Sequence, residues 1–265
     1  MLESTNILDS IFEQKRQEVA QRKAKVDLRT MRRWASEQKP PLDFLGSIST
    51  RKPALIAEVK RASPSKGEFG LRYSALELAQ LYFANGAAAV SVLTDEAYFR
   101  GNLDDLKSTA GLPQRAPLLQ KDFICDPYQV YEARAYGADA VLLIASYLDF
   151  DLMQELHDLA TELGMSALVE THTAEEIEKA LRIDGLKIVG VNNRNLRNFQ
   201  VNLQTCIRLR TLVPAEICYV AESGIHTAKD VLDLRKHDIH IMLVGEALVK
   251  SENPIQKIEE LLLFR

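Results

Sequence analysis

The chain has few of the residues that build disulfide or metal scaffolds, since only 3 of its 265 residues are cysteine. Cys125, Cys206 and Cys218 show no C-x-x-C spacing, which argues against zinc and dithiol motifs and predicts a reduced, cytoplasmic protein. The uncharged and apolar stretch at residues 140–148 is among the longest of its kind, whereas a membrane-spanning helix needs about 18 such residues. The amino-terminal residues lack an apolar core followed by a small-residue cleavage site, so we expect no secretory signal.

Glycine is also scarce, with 12 residues, and no two of them are separated by a single residue. The dinucleotide fingerprint G-x-G-x-x-G is therefore missing, and so are the phosphate-loop, H-E-x-x-H and G-x-S-x-G patterns. With 33 basic and 37 acidic residues the net charge is −4, which argues against nucleic acid as a partner. The short basic run at residues 28–34 is interpreted as the solvated face of a helix.

Five of the glycines recur at gaps of 25, 26, 27 and 21 residues: Gly86, Gly111, Gly137, Gly164 and Gly185. Each closes a segment with helical patterning, and an apolar run follows within a few residues. A helix that ends at glycine and leads into a short buried strand is one βα unit, so this spacing indicates a βα repeat.

Eight short apolar runs, rich in Val, Ile and Leu, alternate with amphipathic segments. They lie at residues 54–60, 88–94, 117–123, 140–146, 166–171, 187–193, 217–223 and 239–245. Eight near-equal units predict an α/β fold of the parallel (β/α)8 TIM-barrel type. An open doubly wound sheet is the alternative.

The first 50 residues have a different pattern from the rest of the chain. Residues 7–12 present an apolar helix face, and Pro40 and Pro41 break any helix before the repeats begin. We therefore predict a single domain over residues 1–265, of which residues 1–50 are a helical extension. We also expect no room for a second fused enzyme after the eighth unit.

Polar residues stand where most of the predicted strands end. The carboxyl ends of all strands of a (β/α)8 barrel meet at one mouth, where the catalytic residues of such enzymes lie. The polar strand ends are Glu58 and Lys60, Lys121 and Asp122, Glu170, Asn192 and Arg194, and Glu222 and Ser223. Any one of them can be a simple ion pair, but five polar strand ends at one mouth predict a functional site.

The loops after the last two strands contain Gly224 and Gly245, and loops at these positions often bind phosphate through backbone N–H groups. Two glycines in ordinary loops are the alternative interpretation. The first βα loop, residues 61–70, is either a mobile cover of the mouth or a solvent-exposed connector. Lys60 and Ser63 are favoured over Lys66 as ligand contacts, because they lie nearer the rigid strand.

Six sequence blocks, in order, resemble the indole-3-glycerol phosphate synthase family: IAEVKRASPSKGEF, LTDEAYFRGNLDDL, LLQKDFICDPYQVYEARAYGADAVLLI, ALVETHT, VGVNNRNL and VAESGI. The resemblance covers residues 4–260. It implies a (β/α)8 barrel whose amino-terminal helical segment closes over the mouth, with no metal or organic cofactor. It further implies that 1-(2-carboxyphenylamino)-1-deoxyribulose 5-phosphate is converted to indole-3-glycerol phosphate, CO2 and water.

The resemblance implies a catalytic set composed of Lys121, Glu170, Glu58, Lys60 and Asn192. Lys121 corresponds to the general acid that activates the substrate carbonyl as the aromatic carbon attacks it. Glu170 corresponds to the base, or acid–base partner, of the later dehydration. Glu58 and Lys60 correspond to residues of the reacting centre, where Lys60 holds the anthranilate carboxylate or shares the proton transfer. Asn192 corresponds to a residue that orients the substrate hydroxyls and the intermediate.

The expected substrate-binding residues are Ser63, Arg194, Glu222, Ser223, Gly224, Gly245 and Glu246. Arg194 corresponds to a residue that orients the substrate, and the residues from Glu222 onward correspond to the sugar–phosphate end. Glu246 departs from the family pattern, because many members have a hydroxyl residue there. We expect it to contribute only its backbone N–H group, with its carboxylate pointing away from the phosphate.

The implied substrate carries a phosphate and a carboxylate, so we expect a local cationic cluster of Lys60, Lys121, Arg194 and helix amino termini. The expected partner is this phosphorylated small molecule, with no nucleic acid and no membrane, on a monomer or else a weak homodimer. Three alternatives stay open: another phosphate-binding barrel such as phosphoribosylanthranilate isomerase, a Schiff-base aldolase that uses Lys121 as nucleophile, and a non-catalytic barrel that binds phosphate esters.

Overall fold

The computed structural model describes residues 7–63, 67–69, 73–195 and 198–264. Within these ranges, eight parallel strands form a closed barrel. Its strands are β1 Ala54–Val59, β2 Ala89–Leu93, β3 Leu118–Lys121, β4 Ala140–Ile144, β5 Ser166–Thr171, β6 Ile188–Asn192, β7 Cys218–Glu222 and β8 Ile241–Val244. Each strand falls inside one of the eight predicted apolar runs, so the predicted repeat is confirmed.

Strand β1 closes the barrel, because it pairs with both the second and the last strand. Ala57 is in register with Val90 on one side and with Val244 on the other. The sheet therefore has no free edge strand, which rules out the open doubly wound alternative.

Thirteen α-helices occur in the described ranges. They are α1 Ile7–Lys25, α2 Leu28–Ser36, α3 Phe44–Ser49, α4 Ala75–Ala84, α5 Glu96–Phe99, α6 Leu103–Ala110, α7 Pro127–Ala135, α8 Phe150–Glu162, α9 Ala174–Ala180, α10 Gln204–Leu209, α11 Ala228–Lys236, α12 Glu246–Val249 and α13 Pro254–Leu261. The predicted helix ends are confirmed, for example at Gly137 and Gly164, which follow α7 and α8 with left-handed φ angles of 91° and 76°. None of the described helices has the length and apolarity needed to cross a lipid bilayer.

The strands are buried on both faces, and this alternation determines which residues reach the mouth. In β1, Leu55 and Ala57 pack outward against the helices, whereas Ile56 belongs to the core inside the barrel. Glu58 continues the inward face two residues later. The same parity relates Leu168 to Glu170 in β5 and Val220 to Glu222 in β7, so these carboxylates point into the mouth.

The amino-terminal extension contributes helices to both ends of the barrel. Leu8 and Ile11 of α1 line the pocket at the mouth, which confirms the predicted cover. Helix α3 lies at the opposite end, where the Ser47 hydroxyl donates a hydrogen bond of 2.5 Å to the Ala88 carbonyl just before β2. The predicted placement of residues 1–50 over the mouth therefore holds for α1 but not for α3.

The basic run at residues 28–34 lies mostly in α2, where the prediction of a solvated face is confirmed. Met31 is buried, whereas Arg29, Arg32 and Arg33 are exposed. The Arg32 guanidinium lies 4.9 Å from the ring centre of Tyr131 on α7, which is a cation–π contact between the two helices.

Candidate active site

A pocket opens at the carboxyl ends of the barrel strands, under helix α1. All twelve residues predicted for the site line it: Glu58, Lys60, Ser63, Lys121, Glu170, Asn192, Arg194, Glu222, Ser223, Gly224, Gly245 and Glu246. Ser63 belongs to a short antiparallel pair formed by Ala62–Ser63 and Gly67–Glu68 in the first βα loop. Lys66, which ranked below Lys60 and Ser63, lies outside the described residues.

Lys121 occupies the centre of the polar part of the pocket. Its Nζ lies 2.9 Å from Glu170 Oε2 and 3.4 Å from Glu222 Oε2. The ammonium side chain is 15% exposed, whereas the two carboxylates are nearly fully buried. This geometry holds a cationic proton donor at the mouth with little freedom to move.

The three groups are held in different protonation states. Burial by itself lowers the pKa of Lys121, but the attraction of Glu170 and Glu222 more than offsets this and keeps its pKa above the ordinary value. Burial likewise opposes ionisation of Glu170, yet Lys121 draws the pKa of Glu170 below its usual range. Burial raises the pKa of Glu222, and the adjacent charge of Glu170 raises it further. The site therefore combines a charged ammonium, an ionised carboxylate and a carboxyl group that retains its proton.

Glu58 and Lys60 form a second ion pair at the end of β1, two strands away from Lys121. Glu58 Oε2 lies 2.6 Å from Lys60 Nζ, as the i and i+2 spacing predicts. Gly245 leaves room for this pair, because a Cβ atom at that position would collide with Glu58 Oε2. The glycine predicted for phosphate binding thus has a packing role beside the Glu58 carboxylate.

Asn192 connects the central cluster to the sixth βα loop. Its Nδ2 donates a hydrogen bond of 3.2 Å to Glu170 Oε1, and its Oδ1 accepts one of 3.0 Å from the Arg194 backbone N–H. Arg194 Nη2 lies 3.4 Å from Glu246 Oε2 at the rim of the pocket. The Glu246 carboxylate also pairs with Lys250 Nζ at 2.7 Å, so two cations compensate its charge. That this carboxylate avoids the phosphate stays a prediction.

The loop after β7 has an unusual backbone. Ser223 and Gly224 both adopt left-handed φ angles, 63° and 80°. The Ser223 carbonyl accepts a hydrogen bond of 3.0 Å from Asn193 Nδ2, which holds the serine in this conformation. A Cβ atom on Gly224 would collide with the Val201 side chain. Glycine is therefore required here by both the backbone and the neighbouring side chain.

Apolar residues that were not among the predicted site residues form the other wall of the pocket: Leu8, Ile11, Phe99, Phe123, Leu142 and Ile144. Their sequence patterns match those of ordinary core residues, so only the fold distinguishes them.

His172, also not predicted, lies beside the central cluster, with its Nε2 3.5 Å from Glu170 Oε1. His172 directly follows the predicted strand β5, so its position at a strand end could have identified it as a residue near the site.

The predicted cationic cluster is present only in part. Lys60, Lys121 and Arg194 lie together as expected, but each is paired with a carboxylate of the pocket. The lining residues include five acidic side chains against these three cations. The three cations are therefore ion-paired rather than free, because the barrel supplies counter-ions that limit the cost of burying them. No group of three or more potential metal ligands occurs among the residues that the structure describes.

Comparison with known proteins places this geometry in a family. The profile of indole-3-glycerol phosphate synthase matches residues 8–261. The chain belongs to the indole-3-glycerol phosphate synthase family. It is 48% identical to the enzyme of that name from Dehalococcoides mccartyi strain CBDB1 over 225 residues, which cover 84% of this chain and 86% of the relative. The synthase from Roseiflexus castenholzii is 46% identical over 263 residues, covering 96% and 97% of the two chains.

Solved structures support the fold of this synthase-family chain. 3-Hexulose-6-phosphate synthase from Salmonella typhimurium superposes with a TM-score of 0.63 at 13% identity, over 79% of this chain and 97% of that one. A chain of the tryptophan synthase complex from Pyrococcus furiosus superposes with a TM-score of 0.60 at 17% identity, over 81% and 99%. Membership of the indole-3-glycerol phosphate synthase family makes the protein a carboxy-lyase of tryptophan biosynthesis.

Proposed function

We propose that the pocket closes the indole ring of 1-(2-carboxyphenylamino)-1-deoxyribulose 5-phosphate, with Lys121 as the general acid. The observation that carries this assignment is the position of Lys121 Nζ between Glu170 and Glu222. The aromatic carbon attacks the ketone carbon, and Lys121 gives a proton to the carbonyl oxygen as that oxygen gains charge. Loss of CO2 then restores the aromatic ring.

Glu170 serves the dehydration that follows. The hydroxyl formed at ring closure leaves as water when it takes up a proton from a lysine ammonium of the pocket, and the proton that the ring system loses in return goes to an ionised carboxylate. The low pKa of Glu170 keeps it ionised, and the Asn192 amide orients its second oxygen. Because Asn192 contacts Glu170 and lines the pocket, it can orient both this base and the reaction intermediate.

The remaining residues orient the two ends of the substrate. Lys60, fixed by Glu58, binds the anthranilate carboxylate next to Lys121. The aromatic ring packs against apolar residues such as Leu142 and Ile144. Ser63 and Arg194 contact the sugar hydroxyls or the carboxylate.

The sugar–phosphate end extends towards the loops after β7 and β8. Glu222 contacts the sugar, and backbone groups of Ser223, Gly224, Gly245 and Glu246 bind the phosphate. Ser223, Gly224, Gly245 and Glu246 all line the pocket, which supports this assignment.

A fluorescence assay tests the catalytic assignment. Purified protein with the substrate is expected to generate indole fluorescence without added metal and in the presence of EDTA. Lys121→Ala and Glu170→Gln are each expected to lower kcat by a factor of at least 100, the scale of a general acid or base. Lys236→Ala is a matched control, since this lysine is exposed on α11, where it pairs with the neighbouring Asp233. A wild-type protein that forms no indole product would refute the proposed reaction.

The high pKa of Lys121 disfavours the aldolase alternative. A Schiff base forms when a neutral amine attacks a carbonyl carbon, whereas the two glutamates keep Lys121 protonated. We expect borohydride to trap no covalent adduct between Lys121 and the ketone substrate. An adduct found by mass spectrometry would overturn the acid role.

We further propose that residues 1–265 form one domain and that the protein acts as a cytoplasmic monomer. The free cysteines Cys125, Cys206 and Cys218 are compatible with a reducing compartment. A monomeric mass by light scattering and a single cooperative unfolding transition are expected. A stable dimer or two separate transitions would contradict these proposals.

A further inference from the structure

A fully buried lysine of the amino-terminal extension connects α1 to the barrel. Lys15 Nζ lies 2.8 Å from an oxygen of Asp95 and 2.8 Å from an oxygen of Asp122. It also lies 2.9 Å from Glu18, one turn further along α1. The side chains of Lys15, Asp95 and Asp122 are at most 1% exposed, so this contact is shielded from water.

Asp122 is the residue after Lys121, and its contacts hold the end of β3. The Thr94 hydroxyl donates to one Asp122 oxygen at 2.5 Å, and the Phe123 backbone N–H donates to the other at 2.8 Å. The Thr94 backbone N–H donates to the Lys121 carbonyl at 3.2 Å. Gln120 Nε2 donates to the Thr94 hydroxyl at 2.9 Å. The Lys121 carbonyl, the Phe123 N–H and the Gln120 side chain are therefore tied, directly or through Thr94, to the carboxylate that Lys15 contacts.

The same face of α1 also forms part of the pocket wall. Phe12, one turn before Lys15, stacks on Tyr147 and makes an edge contact with Phe123, with ring centres 5.4 Å apart in the second pair. Ile11 lies one turn before Lys15 and lines the pocket. The ion cluster thus lies one helical turn after the part of α1 that borders the pocket.

Stability by itself is a weak reason for this buried cluster. Taking an ammonium and two carboxylates out of water is costly, and packed apolar side chains of similar volume often stabilise a protein equally well. A charge cluster differs from an apolar contact because its directional contacts favour one arrangement. The arrangement here includes the strand end that carries Lys121.

We propose that Lys15 is a positioning residue for Lys121, because it holds Asp122 and with it the end of β3 in the catalytic register. The inference rests on the proposed acid role of Lys121. Lys15 itself does not touch the substrate. Its removal is expected to displace the Lys121 ammonium from the pocket centre, and a displacement of about 1 Å can cost on the order of 100-fold in rate.

The test compares two buried ion pairs on the same helix. Lys15→Met removes the charge next to Lys121. Arg22→Met is the matched control, since Arg22 Nη1 lies 2.8 Å from the buried Glu132 and also joins α1 to the barrel, but at α7. Both variants are assayed by indole fluorescence below their unfolding temperatures, with kcat and KM determined separately.

We expect Lys15→Met to lower kcat at least tenfold with less than a threefold change in KM. Arg22→Met is expected to lose thermal stability while its kcat stays within twofold of the wild type. A kcat of Lys15→Met within twofold of the wild type would overturn the inference. Equal losses of kcat in both variants would also overturn it, because they would reflect general loosening of α1.

Asp122→Asn supplies a second measurement if Lys15→Met does not fold. The amide keeps the volume of the side chain and the acceptor for Phe123 N–H, but it weakens the contact with Lys15. We expect its kcat to fall at least fivefold, and a kcat within twofold of the wild type would refute the inference. Failure of the proposed function is distinct, since the wild-type protein would then form no indole product.

Discussion

Replacing Lys121 with methionine is expected to destabilise the protein in a pH-dependent way. The variant Lys121→Met keeps most of the side-chain volume but leaves Glu170 and Glu222 buried without their shared cation. With an effective dielectric constant of about 20, the attraction between Lys121 and the ionised Glu170 at 2.9 Å is worth about 6 kcal/mol before desolvation. Breaking a buried ion pair on one side costs about 3–5 kcal/mol net.

The pH dependence follows from the protonation of Glu170. In the wild type its lowered pKa contributes stability above the pKa of about 4.3 of an unfolded glutamate, and this contribution is lost as the pH falls. In the variant, burial beside Glu222 raises the pKa of Glu170, so the penalty is absent below about pH 4.3 and grows as the pH rises. Keeping one extra carboxyl protonated costs about 1 kcal/mol at pH 5 and about 3.7 kcal/mol at pH 7.

Urea unfolding of both proteins at pH 5 and pH 7 measures this difference. We expect Lys121→Met to lose at least about 3 kcal/mol of unfolding free energy at pH 7 and distinctly less at pH 5. Lys250→Met is the control, because Lys250 is half exposed and its i,i+4 pair with Glu246 is worth at most about 1 kcal/mol. A loss below about 1 kcal/mol at pH 7, or an equal loss at both pH values, would refute the electrostatic account of the centre.

Three further substitutions test the geometry of the pocket. Gly224→Ala places a Cβ atom against Val201 at a left-handed φ, and we expect KM to rise about tenfold, the equivalent of about 1.4 kcal/mol, in steady-state assays. Gly190→Ala directs a Cβ atom at Glu222 Oε1, so kcat is expected to fall at least tenfold, and an unchanged kcat would argue against a role for this carboxyl. Phe12→Ala leaves a cavity under α1 and is expected to cost about 3–5 kcal/mol in urea unfolding, with a rise in KM as the cover loosens.

The polar strand ends were predictable because they depend on local periodicity. Glu58 continues the inward face of Ile56, and Glu170 continues that of Leu168, so strand parity alone directs both carboxylates into the mouth. Strand parity did not show which of the charged side chains form ion pairs with one another. Lys121 is 49 residues from Glu170 and 101 from Glu222, and only closure of the barrel brings these side chains together.

The contribution of α1 was predictable only in outline. Its apolar face was visible at residues 7–12, and the resemblance implied that the segment covers the mouth. The role of Lys15 was not visible, since a lysine among charged residues in a helix is typical of a solvated face. Its burial depends on the docked position of α1, which sets the ammonium between Asp95 and Asp122.

The sequence by itself determined the repeating βα architecture, the family and the membership of the site, because these follow from periodic burial and from residues at strand ends. Tertiary structure decided the pairing of Lys121, the placement of α3 opposite the mouth and the compensation of every pocket cation by a carboxylate. The physical reason is that ion pairing and helix docking depend on distances between segments far apart in the chain. Those distances exist only once the eight strands have closed.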